Sequence, residues 1–236
     1  MDLEIQEVAE LLSIPQKLLQ EWIKEGKIPV YLMNDQFRFN RQEIEAWLLS
    51  QQHLVQQEED LEKVTKRSGT LRYNLFRALN NGDVLLDISG RNKFEVLSQT
   101  MQRIAPLLHL DAEVLTELFI EREHLMSTGV GSGFAIPHAR DFLLRGHRDF
   151  IVVVYLNEPI DYEAIDNTPV HTLFFLMASD DKRHLGLLSK IAHLISGKAM
   201  REVLGQKPQK AELLEVVKNW ETALMQKPQE SLACTS

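Results

Sequence analysis

Apolar residues recur at helical spacing at Ile5, Val8, Leu11 and Leu12, and again through QKLLQEWIKEG. Between the two runs, Ser13-Ile14-Pro15 predicts a break, with Pro15 suited to the first turn of the second helix. Gly26 reads as that helix's stop signal. The pattern then switches to alternation in KIPVYLMNDQFRFN, which predicts two short strands around an Asn34-Asp35 turn. A third helix, RQEIEAWLLSQ, follows with Asn40 as its N-cap. Residues 51–68 are almost wholly polar, without an apolar stripe, and mark a linker or an extension of the third helix.

A larger unit begins near Gly69. LRYNLFRALNNG predicts a helix ending at Asn80-Asn81-Gly82, and VLLDI a short strand. NKFEVLSQTMQRIAPLL and DAEVLTELFIEREHL are amphipathic, the first expected to end at Pro106. FIVVVYL and HTLFFLMAS are apolar on both faces, as strands of a sheet covered by helices must be. RHLGLLSKIAHLISG and KAELLEVVKNWETALMQ close the unit as helices. The alternation predicts an α/β (α+β) fold, a mixed sheet flanked by helices. The expected division is 1–50 for the small unit, 51–68 for the linker, 69–225 for the larger domain and 226–236 for a disordered tail.

Bulk properties narrow the function. The chain has 236 residues, room for two unequal domains, and its 44% hydrophobic and 25% charged content is that of a globular protein. A formal net charge of −8 argues against wholesale wrapping of nucleic acid. The start of the chain resembles no targeting signal, and no apolar run nears the ~20 residues a spanning helix needs, so a cytoplasmic protein without membrane insertion is expected. Cys234 is the only cysteine, which excludes a disulfide framework and a thiolate metal site.

One segment carries chemistry: STGVGSGFAIPHAR, residues 127–140. A neutral imidazole at cellular pH is a competent nucleophile toward a proton, a metal or a phosphoryl group. Pro137 stiffens the stalk beneath His138. Gly129, Gly131 and Gly133 would let backbone N–H groups approach an anion, and Ser127, Thr128 and Ser132 offer hydroxyl donors. Arg122 and Arg140 supply planar forks suited to phosphate. The loop is neither a P-loop nor a dinucleotide fingerprint, and from these letters alone a turn-rich loop with a surface histidine stays open. His53 and His147 read as solvated, His193 lies on a different part of its helix from His184, and His109, His124 and His171 lack carboxylate or cysteine partners at ligand spacing, so neither metal nor other cofactor is expected.

REHLMSTGVGSGFAIPHAR resembles the active-site segment of the IIA proteins of the bacterial phosphotransferase system, in the fructose/mannitol/nitrogen-regulatory class. EPIDYEAIDNTPVHTLFFLMASDDKRHLGLLSKIAHLI is similar to that class's downstream block, and the resemblance spans roughly residues 70–222. It implies that His138 accepts the phosphoryl group, His184 is the second active-site histidine that orients it, and Arg122 neutralises charge. Ser127, Thr128, Gly129, Gly131 and Arg140 would form the phosphate loop. The implied donor is a phosphohistidine carrier similar to HPr. The implied protein is a carrier rather than a turnover enzyme. With no IIB or IIC part, the nitrogen-regulatory branch is favoured, where phosphorylation is itself the signal; a sugar-permease IIA component stays open. Regulated target and homodimer formation are not given by the sequence.

VAELLSIPQKLLQEWIKEGKIPVYLMNDQFRFNRQEIEAWL is similar to excisionase-like and MerR-like winged helix-turn-helix domains. That resemblance implies duplex DNA contacts from Gln16, Lys17 and Gln20 on the second helix and from Arg38 and Arg41 at the wing. Yet residues 1–50 carry five bases against nine acids, and Glu21 lies in the recognition helix, a poor footprint for phosphate contacts. A transcription regulator with a IIA-like sensor and a winged helix kept for protein contact are both open.

Overall fold

The computed structural model describes residues 2–12, 16–33, 36–50, 74–139 and 149–226. The expected break at 13–15, the Asn34-Asp35 turn, the linker, Arg140, His53, His147 and Cys234 lie outside the described residues.

The N-terminal unit holds β1 (Asp2–Glu4), α1 (Ile5–Leu11), α2 (Gln16–Lys24), β2 (Tyr31–Met33), β3 (Gln36–Asn40) and α3 (Arg41–Ser50). Its sheet has the order β1-β3-β2, both pairs antiparallel. The β1 strand carries no alternation in the sequence and was not expected. Gly26, at φ +65°, ends α2, with the Lys27 N–H donating to the Trp22 carbonyl. Asn40 caps α3, its side chain accepting from the Gln42 N–H at 2.9 Å. Val8, Leu19, Phe39 and Ile44 are fully buried, and Trp22 packs on Trp47 at 5.5 Å between ring centres.

The larger unit holds α4 (Asn74–Asn81), β4 (Val84–Ile88), α5 (Lys93–Leu108), α6 (Ala112–Leu125), β5 (Gly129–Gly131), β6 (Phe134–Ala135), β7 (Phe150–Ile160), β8 (Val170–Met177), α7 (Asp181–Ser196), α8 (Lys198–Gly205) and α9 (Lys210–Gln226). Its mixed sheet runs β4-β7-β8-β6-β5. β4 is parallel to β7 and β6 to β8; β7 with β8 and β5 with β6 are antiparallel.

The period of two in the central strands sorts their side chains between two cores. Ile151, Val153, Tyr155, Phe174 and Leu176 face the helices α4, α7 and α9. Val152, Val154, Leu173, Phe175 and Met177 face α5 and α6. The first core continues without interruption into the N-terminal unit's core, and α1 and α3 pack against α7.

Two expectations need correcting. Pro106 does not end α5, which runs on to Leu108. A proline in the last turn removes only one intrahelical bond, and the helix instead stops at His109, whose left-handed φ of 55° lets the Leu110 N–H reach the Ala105 carbonyl at 3.0 Å. The glycine-rich loop is not an open loop either: it is the β5–β6 hairpin at the sheet edge. Its turn residues Ser132 and Gly133 both have positive φ, the requirement of a two-residue hairpin.

Candidate functional site

The β6 chain continues past Ala135 along β8. The Leu176 N–H donates to the Pro137 carbonyl at 2.9 Å, and His138 forms a parallel bridge with Leu176. Pro137 thus uses only its acceptor in the ladder, and its missing N–H costs nothing there. His138 is delivered at the carboxyl ends of two parallel strands, the position where open α/β sheets place their ligands. The chain from β8 enters α7 at the same end. Asp180 caps that helix by accepting from the Arg183 N–H, and His184 stands in its first turn. The two imidazoles meet edge-on, with ring centres 4.9 Å apart.

The hydrogen bonds fix the state of His138. Its Nδ1 lies 2.8 Å from the Ile136 carbonyl, which can only accept, so Nδ1 carries the proton. Its Nε2 lies 3.0 Å from Arg122 Nε, which can only donate, so Nε2 holds the lone pair. Arg122 is itself held by donation to the Met126 carbonyl at 3.0 Å. The result is a neutral imidazole with its nucleophilic nitrogen aimed at a guanidinium.

A fourth group comes from the N-terminal unit. Glu45 of α3 places Oε2 at 3.8 Å from His138 Nε2 and Oε1 at 3.7 Å from His184 Nε2. Arg41, one turn back, pairs with Glu45 at 3.2 Å. All four central side chains are buried: His138 is 1% exposed, His184 2%, Arg122 4% and Glu45 6%. Among the described residues, His184 Nε2 has no hydrogen-bond partner. Burial above all pushes the His184 pKa down to about 3, so this imidazole is neutral. Burial would raise the Glu45 carboxyl, but His138, His184 and Arg41 together override it and bring it down to about 2. Glu45 is therefore a buried carboxylate facing two imidazoles.

Glu45, His138 and His184 also have ligand atoms within 4.8 Å of one another, the donor set of a zinc site. Arg122 occupies the lone pair that a metal would take from His138, and Arg41 adds a second cation. The surroundings favour an anion.

The loop residues named from the sequence have other partners. Thr128 donates through both its N–H (3.0 Å) and its hydroxyl (2.6 Å) to the buried Glu123. Ser127 donates to the Tyr162 carbonyl at 2.7 Å and accepts from the Gly129 N–H. A Cβ on Gly129 would stand 2.8 Å from the backbone of Ala164, so that glycine is there for close packing. Gly131 is in the hairpin with φ +94°. These groups build the platform under His138 rather than cradle an anion.

The five residues named for DNA divide. Gln16, Lys17 and Gln20 are exposed on α2. Arg38 is engaged by Glu4 and Gln36, and Arg41 by Glu45. Of the remaining described histidines, His124 packs against Phe94, while His171 and His193 meet Phe134 and Trp220 edge-on. Sequence reasoning missed Glu45 and gave Glu123 no role. An i,i+4 Arg41/Glu45 pair reads as a solvated surface pair, and only the docking of α3 on α7 buries it.

Residues 77–220 match the family described as "Phosphoenolpyruvate-dependent sugar phosphotransferase system, EIIA 2", and the chain belongs to that family. Residues 3–52 match a family described as "Helix-turn-helix domain". The chain is 35% identical over 147 residues to a nitrogen regulatory protein of Pseudomonas aeruginosa, covering 61% of this chain and 94% of that one. It is 35% identical over 138 residues to a nitrogen regulatory protein of Escherichia coli, covering 56% and 80%. Among solved structures, the nitrogen regulatory protein IIA-Ntr from Neisseria meningitidis aligns with a TM-score of 0.52 at 27% identity, covering 61% of this chain and 94% of that one. No helix among the described residues is long and apolar enough to cross a membrane.

Proposed function

We propose that the chain is a nitrogen-regulatory-type IIA phosphocarrier of the cytoplasm, with a winged helix-turn-helix unit at 1–50 and the carrier unit at 69–225. His138 Nε2 takes a phosphoryl group from an HPr-like donor, and the phosphorylation state is the signal. The observation that carries this reading is the fixed tautomer: Nδ1–H is committed to the Ile136 carbonyl and Nε2 offers its lone pair.

In the transfer, the donor's N–P bond breaks as the His138 Nε2–P bond forms, in line. The protein's part is positioning and neutralisation, because phosphoryl transfer of this kind needs little covalent help. Arg122 leaves the lone pair for the phosphoryl oxygens, and the Ile136 carbonyl stabilises the Nδ1–H of the now cationic ring. The Nε2 of His184, without a partner among the described residues, donates to the same group when it carries the ring proton. Incubation with phosphoenolpyruvate, enzyme I and an HPr-like donor, followed by intact mass, tests the reading. One acid-labile phosphate, absent in His138→Ala, is expected; full labelling of that variant would overturn it.

A second reading, DNA binding by the N-terminal unit, is favoured by the helix-turn-helix match and by the exposed Gln16, Lys17 and Gln20 on α2. Protection of any duplex at low salt would support it. The engagement of Arg38 and Arg41 within the protein leaves the wing poor in phosphate contacts.

A further inference from the structure

A phosphoryl acceptor that meets a carrier protein must be reachable, yet His138, His184 and Arg122 are all buried here. What comes from outside the carrier unit at this spot is α3, and its contribution is a carboxylate. Glu45 presents its two oxygens at 3.7–3.8 Å to the two Nε2 atoms, facing the nitrogen that a phosphoryl group would take. These separations are too long for hydrogen bonds. The charged groups facing the position are Arg122 from α6 and Arg41 from α3 itself, with the two neutral imidazoles beside them.

We propose that Glu45 is an internal mimic of the phosphoryl group, so that docking of the winged-helix unit and phosphorylation of His138 exclude one another. The inference rests on the phosphoacceptor reading and adds its regulation. A phosphohistidine brings a charge of about −1.5 to −2. Placed on Nε2, it meets a carboxylate buried beside it, where repulsion is screened far less than in water. Either the phosphoryl group is lost or α3 leaves the α7 surface. The same cations, Arg122 chief among them, serve whichever anion is present. By reciprocity, whatever holds the winged-helix unit in its docked position slows phosphorylation, and whatever draws it away speeds it. The exposed face of α2 is not part of this contact, so it is available to bias the equilibrium.

The test uses the full chain, with Cys234→Ser in the background and spin labels at Leu32→Cys and Leu107→Cys, two exposed positions on the two units. Phosphate uptake from phosphoenolpyruvate, enzyme I and an HPr-like donor is timed by intact mass in the parent, in Glu45→Gln and in Glu43→Gln. The Glu43→Gln variant removes a neighbouring acid of α3 that pairs with Tyr31 instead. The expected result is uptake about tenfold faster in Glu45→Gln than in the parent and unchanged in Glu43→Gln, from the loss of one opposing charge. The unchanged rate in Glu43→Gln separates loss of this one carboxylate from a general loosening of α3. The label-to-label distance in the parent lengthens and broadens on phosphorylation. Equal rates in all three proteins with an unchanged distance overturn the exclusion and leave the carrier reading standing. If no phosphate reaches His138 in any of them, the carrier reading falls and the exclusion falls with it.

Discussion

The two sides of the His138 pocket are built differently. The floor belongs to the carrier unit, and its polar groups have partners at hydrogen-bond distance: Nδ1 on Ile136, Arg122 on Nε2 and Met126, Thr128 on Glu123. The roof is one carboxylate from α3 that approaches both imidazoles without hydrogen-bonding either, and it leaves His184 Nε2 unsatisfied. A buried unsatisfied polar atom costs stability, commonly ~1–3 kcal/mol. A floor of this kind holds its histidine whether or not it is covered. A roof of this kind can be exchanged.

Breaking the floor should therefore cost chemistry or folding. The largest effect is expected from Arg122→Ala, which removes the group on the nucleophilic nitrogen. Loss of one such charge-stabilising donor is typically worth ~10²–10³ in rate, so phosphate uptake timed by intact mass should fall by that order. Uptake within a few-fold of the parent would remove Arg122 from the mechanism. Next is Glu123→Ala, which strands the buried N–H and hydroxyl of Thr128. Urea unfolding should show a loss of about 3 kcal/mol, with a shifted midpoint and an unchanged slope.

Acid sharpens the contrast further. His184 is held neutral by burial, with its pKa lowered to about 3, while the unfolded chain takes up a proton near the ordinary 6.5. Its contribution to stability is fully present above pH ~6.5 and is lost as pH falls toward 3. Glu45, lowered to about 2 from 4.5, adds a loss in the same direction at lower pH. Stability should decline on acidification from about pH 6.5 by at most ~1.4 kcal/mol per pH unit for each group, and His184→Gln should flatten the upper part. A profile unchanged in that variant would show that another group titrates.

Smaller effects should mark the edges. Gly133→Ala forces an L side chain to φ +86° with a Cβ 2.3 Å from the His171 ring, and about 1–2 kcal/mol should be lost in thermal or urea unfolding. Arg38→Ala, at the exposed pair with Glu4, should cost under ~1 kcal/mol. A larger loss would mean that the wing is tied to something beyond Glu4.

The same division governs what the sequence could reveal. Strand periodicity sorts Ile151 and Val153 from Val152 and Val154, so the central strands β7 and β8 are legible from local pattern. His138 and His184 are legible because motif blocks mark each, although only the sheet brings them within 4.9 Å. The β5–β6 hairpin is too short to show alternation, and its glycines read as an anion cradle until the neighbours at Ala164 and His171 are known. Helix α8 went unseen because its eight residues, Lys198–Gly205, follow α7 almost without a break. Glu45 was invisible for a physical reason: its burial is created by two units meeting, and no local pattern encodes that.

The most direct measurement is the site of the phosphate on the ring. Nuclear magnetic resonance of the phosphorylated, ¹⁵N-histidine-labelled chain distinguishes the two nitrogens of His138 through their phosphorus coupling. The fixed tautomer predicts phosphate on Nε2 with a protonated Nδ1. Phosphate on Nδ1, or on His184, would contradict the geometry on which the mechanism stands.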